Sequence, residues 1–70
     1  MNVHVETYRG YKADEYPRSF MLNGEKLDIV DIEDRWYGPD YSYFKIFANN
    51  AKRYLLKQEL SNKEWTVKII

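Results

Sequence analysis

Turn signals cut this chain into short stretches that alternate apolar and polar residues, and no stretch of about twelve residues keeps apolar positions at helical spacing. Hairpin-linked β-strands are what such a pattern allows. The strongest signal is Asn23-Gly24, between two alternating runs. A two-residue turn needs positive φ at both central positions, which Asn tolerates and Gly adopts freely. Gly38-Pro39-Asp40, Asn49-Asn50 and Ser61-Asn62-Lys63 punctuate the rest. The spacing predicts six strands, over residues 3–9, 18–23, 26–36, 41–48, 52–59 and 64–69. A link over residues 10–17 separates the first two, and its Ala13-Asp14-Glu15 segment suits a single helical turn.

The third strand carries a phase break. Its apolar positions run Leu27, Ile29, Val30, Ile32, so the period of two fails between Ile29 and Val30. A bulge or sharp bend there would re-aim the strand. Elsewhere the faces follow alternation. Val3, Val5 and Thr7 share one side; Phe44 and Ile46 point inward with Tyr43 and Phe47 outward; Trp65, Val67 and Ile69 point inward with Thr66 and Lys68 outward. On the fifth strand Tyr54 and Leu56 compete with Leu55 for the core, and register decides between them. The expected fold is therefore all-β: a six-stranded antiparallel meander curled into a small SH3-like barrel or a strongly bent sheet. An OB-like barrel is the alternative, weakened because its connecting helix has no candidate.

Seventy residues hold one core and one domain. So short a chain buries only about 60% of its unfolded surface, which makes large side chains valuable. Aromatic residues make up 17% of this one, seven of them Tyr. There is no Cys, which excludes disulfides, thiolate metal sites and thiol nucleophiles and fits a reducing compartment. The start, Met1-Asn2-Val3-His4-Val5-Glu6, lacks a basic, apolar leader, and no apolar run reaches bilayer length, so the expected location is cytoplasmic with no membrane partner. Net charge is zero, but residues 1–40 carry −4 and the rest +4. Such asymmetry makes either two faces of opposite sign or neutralisation across paired strands.

Two segments resemble a known group. Asp34-Arg35-Trp36-Tyr37-Gly38-Pro39-Asp40-Tyr41-Ser42-Tyr43-Phe44-Lys45, preceded by Tyr11-Lys12-Ala13-Asp14-Glu15-Tyr16-Pro17-Arg18-Ser19-Phe20, is similar to a group of short uncharacterised bacterial proteins. These share a central Asp-Arg-Trp, then an aromatic strand, then a Tyr-Leu-Leu or Tyr-Ile-Leu strand, matched here by Tyr54-Leu55-Leu56. The likeness covers residues 10–65 and implies a compact bacterial β domain; it brings no catalytic or binding residues with it.

Catalytic groups are scarce. The single imidazole, His4, reads as an outward strand residue, so no catalytic residues, metal ligands or cofactor are assigned and the expectation is a non-enzyme. The acidic run Asp28, Asp31, Glu33, Asp34, with Asp40 beyond the turn, lacks calcium-loop spacing. On a regular strand Asp31 and Glu33 share one face and Asp34 takes the other, which reads as a solvated surface with Asp31 or Asp34 paired to Arg35 or a neighbouring Lys.

Two binding surfaces remain. One joins cations and rings on the outward side of the last three strands: Tyr43, Lys45, Phe47, Arg53, Lys57 and Lys68. That mixture suits single-stranded nucleic acid, where phosphates meet cations and bases stack on rings. The other gathers Tyr8, Tyr11, Tyr16, Trp36, Tyr37 and Tyr41 beside Asp14, Glu15 and Asp34, as an aromatic groove for an extended basic peptide. Exposed edges and rings would also serve a homodimer. Zero net charge gives no general attraction for phosphate, so a protein or peptide partner is favoured over nucleic acid.

Overall fold

The computed structural model describes residues 2–9 and 15–70, and of Arg9 and Glu15 the backbone alone. Seven strands form among these residues: β1 (Asn2–Val3), β2 (Val5–Arg9), β3 (Glu15–Leu22), β4 (Glu25–Tyr37), β5 (Tyr41–Ala48), β6 (Arg53–Glu59) and β7 (Trp65–Ile69). All pairings are antiparallel, in the order β1-β7-β6-β5-β4-β3-β2, and the sheet curls into a half-barrel. The bent-sheet expectation holds. The count differs because the expected first strand is split at His4. Asn2 and Val3 pair with β7, whereas Val5 onward pairs with β3, so one short segment serves both ends of the sheet. It bends at His4 to do so, and the His4 carbonyl accepts the Met21 N–H at 2.9 Å.

The second correction concerns the link over residues 10–17. Strand β3 already begins at Glu15, and Pro17 lies within it, opposite Thr7. Proline is tolerated because the β2–β3 register shifts there: Glu6 faces Ser19 and Thr7 faces Pro17, which leaves Arg18 over as the extra residue of a bulge. The helical turn expected at Ala13-Asp14-Glu15 falls largely outside the described residues, and Glu15 itself is strand.

The Asn23-Gly24 turn forms as expected, with φ of 51° and 79°. The Asn49-Asn50 turn is wider. Ala48 N–H reaches the Lys52 carbonyl at 2.9 Å, and Ala51 takes a left-handed φ of 65°.

Strand β4 is bulged twice. Ile29 faces Ala48 and Asp31 faces Phe47, so Val30 is the extra residue at the expected break. Ile32 faces Ile46 and Asp34 faces Lys45, so Glu33 is a second one, which the apolar pattern did not announce. Each bulge re-phases the strand, and the second has the larger consequence. Without it Asp34 and Trp36 would share the core side of Ile32; with it they face outward, and Arg35 and Tyr37 turn inward opposite Phe44 and Ser42.

The core consists of Phe20, Leu22, Leu27, Phe44, Ile46, Ala48, Tyr54, Leu56, Trp65 and Val67. Phe20 meets Tyr54 edge-on at 5.2 Å between centroids, and Phe44 meets Trp65 at 5.6 Å. The Tyr54 hydroxyl accepts from Asn50 Nδ2 at 2.9 Å, so the ring is buried with its polar end satisfied by the turn. Register settles the facing of β6 in favour of Tyr54 and Leu56, with Leu55 outward opposite Lys45 and Lys68. Ile69 falls on the inner side opposite Tyr54, as alternation expects, yet is 66% exposed: the packed core ends at Val67, and the strand continues past it.

Leu56→Ala is expected to cost about 2–5 kcal/mol in urea-induced unfolding, since it opens a cavity among fully packed side chains. Ile69→Ala should stay within about 0.5 kcal/mol of the wild type in the same measurement.

Candidate functional site

The outward residues of β4 to β7 make one continuous face, set by register. Across it run Asp31, Phe47 and Arg53; then Asp34, Lys45, Leu55 and Lys68; then Trp36, Tyr43, Lys57 and Thr66. All six residues expected of a nucleic-acid surface therefore come together. Carboxylates interleave with them, because the bulges carry Asp31 and Asp34 outward opposite Phe47 and Lys45. This corrects the facing expected of the acidic run. Asp31 and Asp34 share a side, and Glu33, from its bulge, reaches Arg53 Nε at 2.9 Å. Asp34 Oδ1 accepts the Arg35 backbone N–H at 2.8 Å instead of a lysine.

The Arg53–Glu33 pair holds the guanidinium above its ordinary pKa, first by the hydrogen bond and then by Coulombic attraction, against desolvation. A raised basic pKa contributes stability below the unfolded value and loses it only as pH climbs through the folded one. Through Arg53, then, the pair is constant across neutral pH.

The rings of this face already contact cations or one another. Trp36 and Tyr43 stack at 5.3 Å with planes 9° apart. Tyr41 tilts against Tyr43 at 6.1 Å and receives Lys57 Nζ at 4.4 Å from its centroid, while the Arg53 guanidinium lies 4.9 Å from that of Phe47. A base stacking on Phe47 or Tyr41 from the side of its cation would have to displace Arg53 or Lys57.

The residues expected of a peptide groove are dispersed. Trp36 and Tyr41 belong to the outer face. Tyr37 lies on the inner side, where its hydroxyl accepts from Arg35 Nε and Nη2 at 2.9 and 2.6 Å, and the same guanidinium lies 5.2 Å from the Phe44 centroid. Tyr16 packs against the core and meets Tyr8 at 5.2 Å on the β2–β3 hairpin. Tyr11, Asp14 and the Glu15 side chain lie outside the described residues.

A different feature went unseen in the sequence. Strand β3 pairs with β4 only as far as Ser19 opposite Asp28. Beyond that point the strands part, and a cleft of about 580 Å³ opens between Tyr16, Pro17 and Ser19 on one side and Asp28, Ile29, Val30 and Ile32 on the other. Among the described residues no strand pairs with residues 29–34 of β4 on the side away from β5. The doubled Ile29-Val30 was the only available signal, since it marks where β4 bends away. Close by along the strand, Val30 is 62%, Trp36 41% and Tyr37 57% exposed.

His4 lines a separate cleft of about 460 Å³ with Thr7, Gln58, Lys63 and Trp65, where Glu64 is the lining carboxylate. No group of three potential metal ligands and no helix long and apolar enough to cross a membrane occurs among the described residues.

No protein-family model matches the chain, and comparison with curated proteins and with solved structures finds no match.

The Trp36–Tyr43 stack is expected to show a coupling of about 0.5–1.5 kcal/mol in a double-mutant cycle of Trp36→Ala and Tyr43→Ala, measured by chemical unfolding.

Proposed function

We propose that this protein is a non-enzymatic accessory domain of the bacterial cytoplasm that binds a protein or peptide along the β4 side of the sheet. One observation supports this most: β4 is partnered by β5 throughout its far half yet, among the described residues, has no strand on its other side from 29 to 34, next to exposed Val30 and Trp36. An unpaired edge offers main-chain hydrogen bonds, and nearby apolar and aromatic side chains supply anchors of the kind that dominate protein interfaces.

A second reading is single-stranded nucleic acid, favoured by the meeting of Tyr43, Lys45, Phe47, Arg53, Lys57 and Lys68 on one face. It ranks lower because carboxylates of β4 interleave with those cations and because the rings are occupied.

The test is a selection of displayed random peptides on the intact protein, followed by titration of the winners into the isotope-labelled chain. Enriched peptides should shift amides near Val30 and Trp36, and Trp36→Ala should weaken them at least about tenfold. Failure to enrich any peptide overturns the reading. A parallel titration with short mixed-sequence single-stranded DNA at low salt decides the alternative. Shifts confined to residues 43–47 and 53–57 and reversed by salt would install nucleic acid as the ligand.

A further inference from the structure

We infer that residues 29–34 of β4 take up an extended segment of a partner protein as an added strand, and that this segment alternates apolar residues with Lys or Arg. The inference rests on the protein-binding reading above and specifies its mode and chemistry.

The geometry comes from two departures from regular pairing. The Val30 bulge bends β4 after Asp28, while Pro17 and the extra Arg18 draw β3 towards β2. The two strands diverge, and the cleft between them runs along backbone of β4 that pairs with no strand on that side among the described residues. Edge N–H and C=O groups in such a place are a template for one more strand. An added strand presents alternate side chains to opposite faces. On the core side of this cleft are the half-buried Ile29 and Ile32; on the other are Asp28 and Asp31, and Arg18 and Lys26 also belong to the lining.

Charge selects the occupant. Three carboxylates and two cations line the cleft: Lys26 is paired with Glu6 at 3.7 Å and Arg18 lies 5.8 Å from the Tyr8 ring centroid, so Asp28 and Asp31, neither ion-paired among the described residues, leave it with an excess of one negative charge. A second copy entering by the same edge would bring Asp31 and Asp34 against their own counterparts, and like charges across paired strands destabilise. Acidic side chains and bulges are how natural edges avoid pairing with themselves. The same features that reject a second copy favour a strand of opposite charge.

The probe is a capped hexapeptide of alternating Lys and Val, titrated into the labelled full chain at low salt. Three relatives accompany it: a Glu/Val peptide, a Lys/Val peptide N-methylated on alternate amides, and its partner methylated on the other set. Expected are shifts confined to residues 16–19 and 28–34, no comparable shifts with Glu/Val, and at least a tenfold loss for one methylated peptide but not the other, since only one set of amides faces β4. Asp28→Asn with Asp31→Asn should weaken the Lys/Val peptide about fivefold, as expected for two exposed ion pairs. The inference is overturned if both methylated peptides bind like the parent, if the shifts fall elsewhere, if Lys/Val leaves the spectrum unmoved, or if residues 29–34 broaden with protein concentration alone, which would mean self-pairing. Each of these leaves the broader reading intact where displayed peptides are still enriched.

Discussion

A thirteen-residue strand can line a curled core only if it bends, and in β4 the bends are two extra residues, Val30 and Glu33. Side chains on a strand alternate, so each extra residue exchanges the faces of all that follow. The first keeps Ile29 and Ile32 both on the core, three positions apart. The second sends Trp36 outward onto Tyr43 and turns Arg35 inward over Phe44. The same bends part β4 from β3. Curvature and the composition of both faces thus share one cause, to which the open edge adds the irregular pairing of β3 at Pro17 and Arg18.

Closure at the other end is achieved with little material. Asn2 and Val3 cover part of β7, Val5 onward covers β3, and His4 is the pivot between them. A sheet of this size has two edges to protect, and the N-terminal segment partly shields both. The core beneath relies on rings to compensate for its few residues. Phe20, Phe44, Tyr54 and Trp65 lie in two edge-to-face or tilted pairs around Ile46 and Leu56, and no buried side-chain polar atom among the described residues lacks a partner.

What the sequence revealed of this follows from what apolar periodicity can register. The Asn23-Gly24 turn and the alternation of β5 and β7 were legible because turn chemistry and period two are local signals. The Val30 bulge was legible because it falls between two apolar residues whose phase disagrees. The Glu33 bulge was not, because Glu33-Asp34-Arg35 offers no apolar residue to reveal a phase, and the facing assigned to Asp31, Glu33 and Asp34 failed for that reason. Ile69 shows the opposite limit: alternation gives its side of the sheet, opposite Tyr54, and continues in the sequence after the core has ended. Of the candidate surfaces, the cation and ring set was legible through alternation alone. The cleft was not, because it depends on where two strands separate, a matter of long-range register.

The two surfaces differ in how much interaction they have left to offer. On the outer face each charge or ring tends to have a neighbour: Arg53 with Glu33 and Phe47, Lys57 with Tyr41, Trp36 with Tyr43. A ligand there must exchange existing contacts for new ones, and the net gain is the small difference between them. Along residues 29–34 no strand among the described residues pairs with the backbone groups on the cleft side, so a strand that arrives with its own hydrogen-bonding groups in line has no protein contact of theirs to displace. Asp28 and Asp31 add charge whose Coulombic interaction is likewise still available. The proposed recognition is for this reason placed where the strands part, beside an outer face whose cations and rings contact one another across β4 to β6.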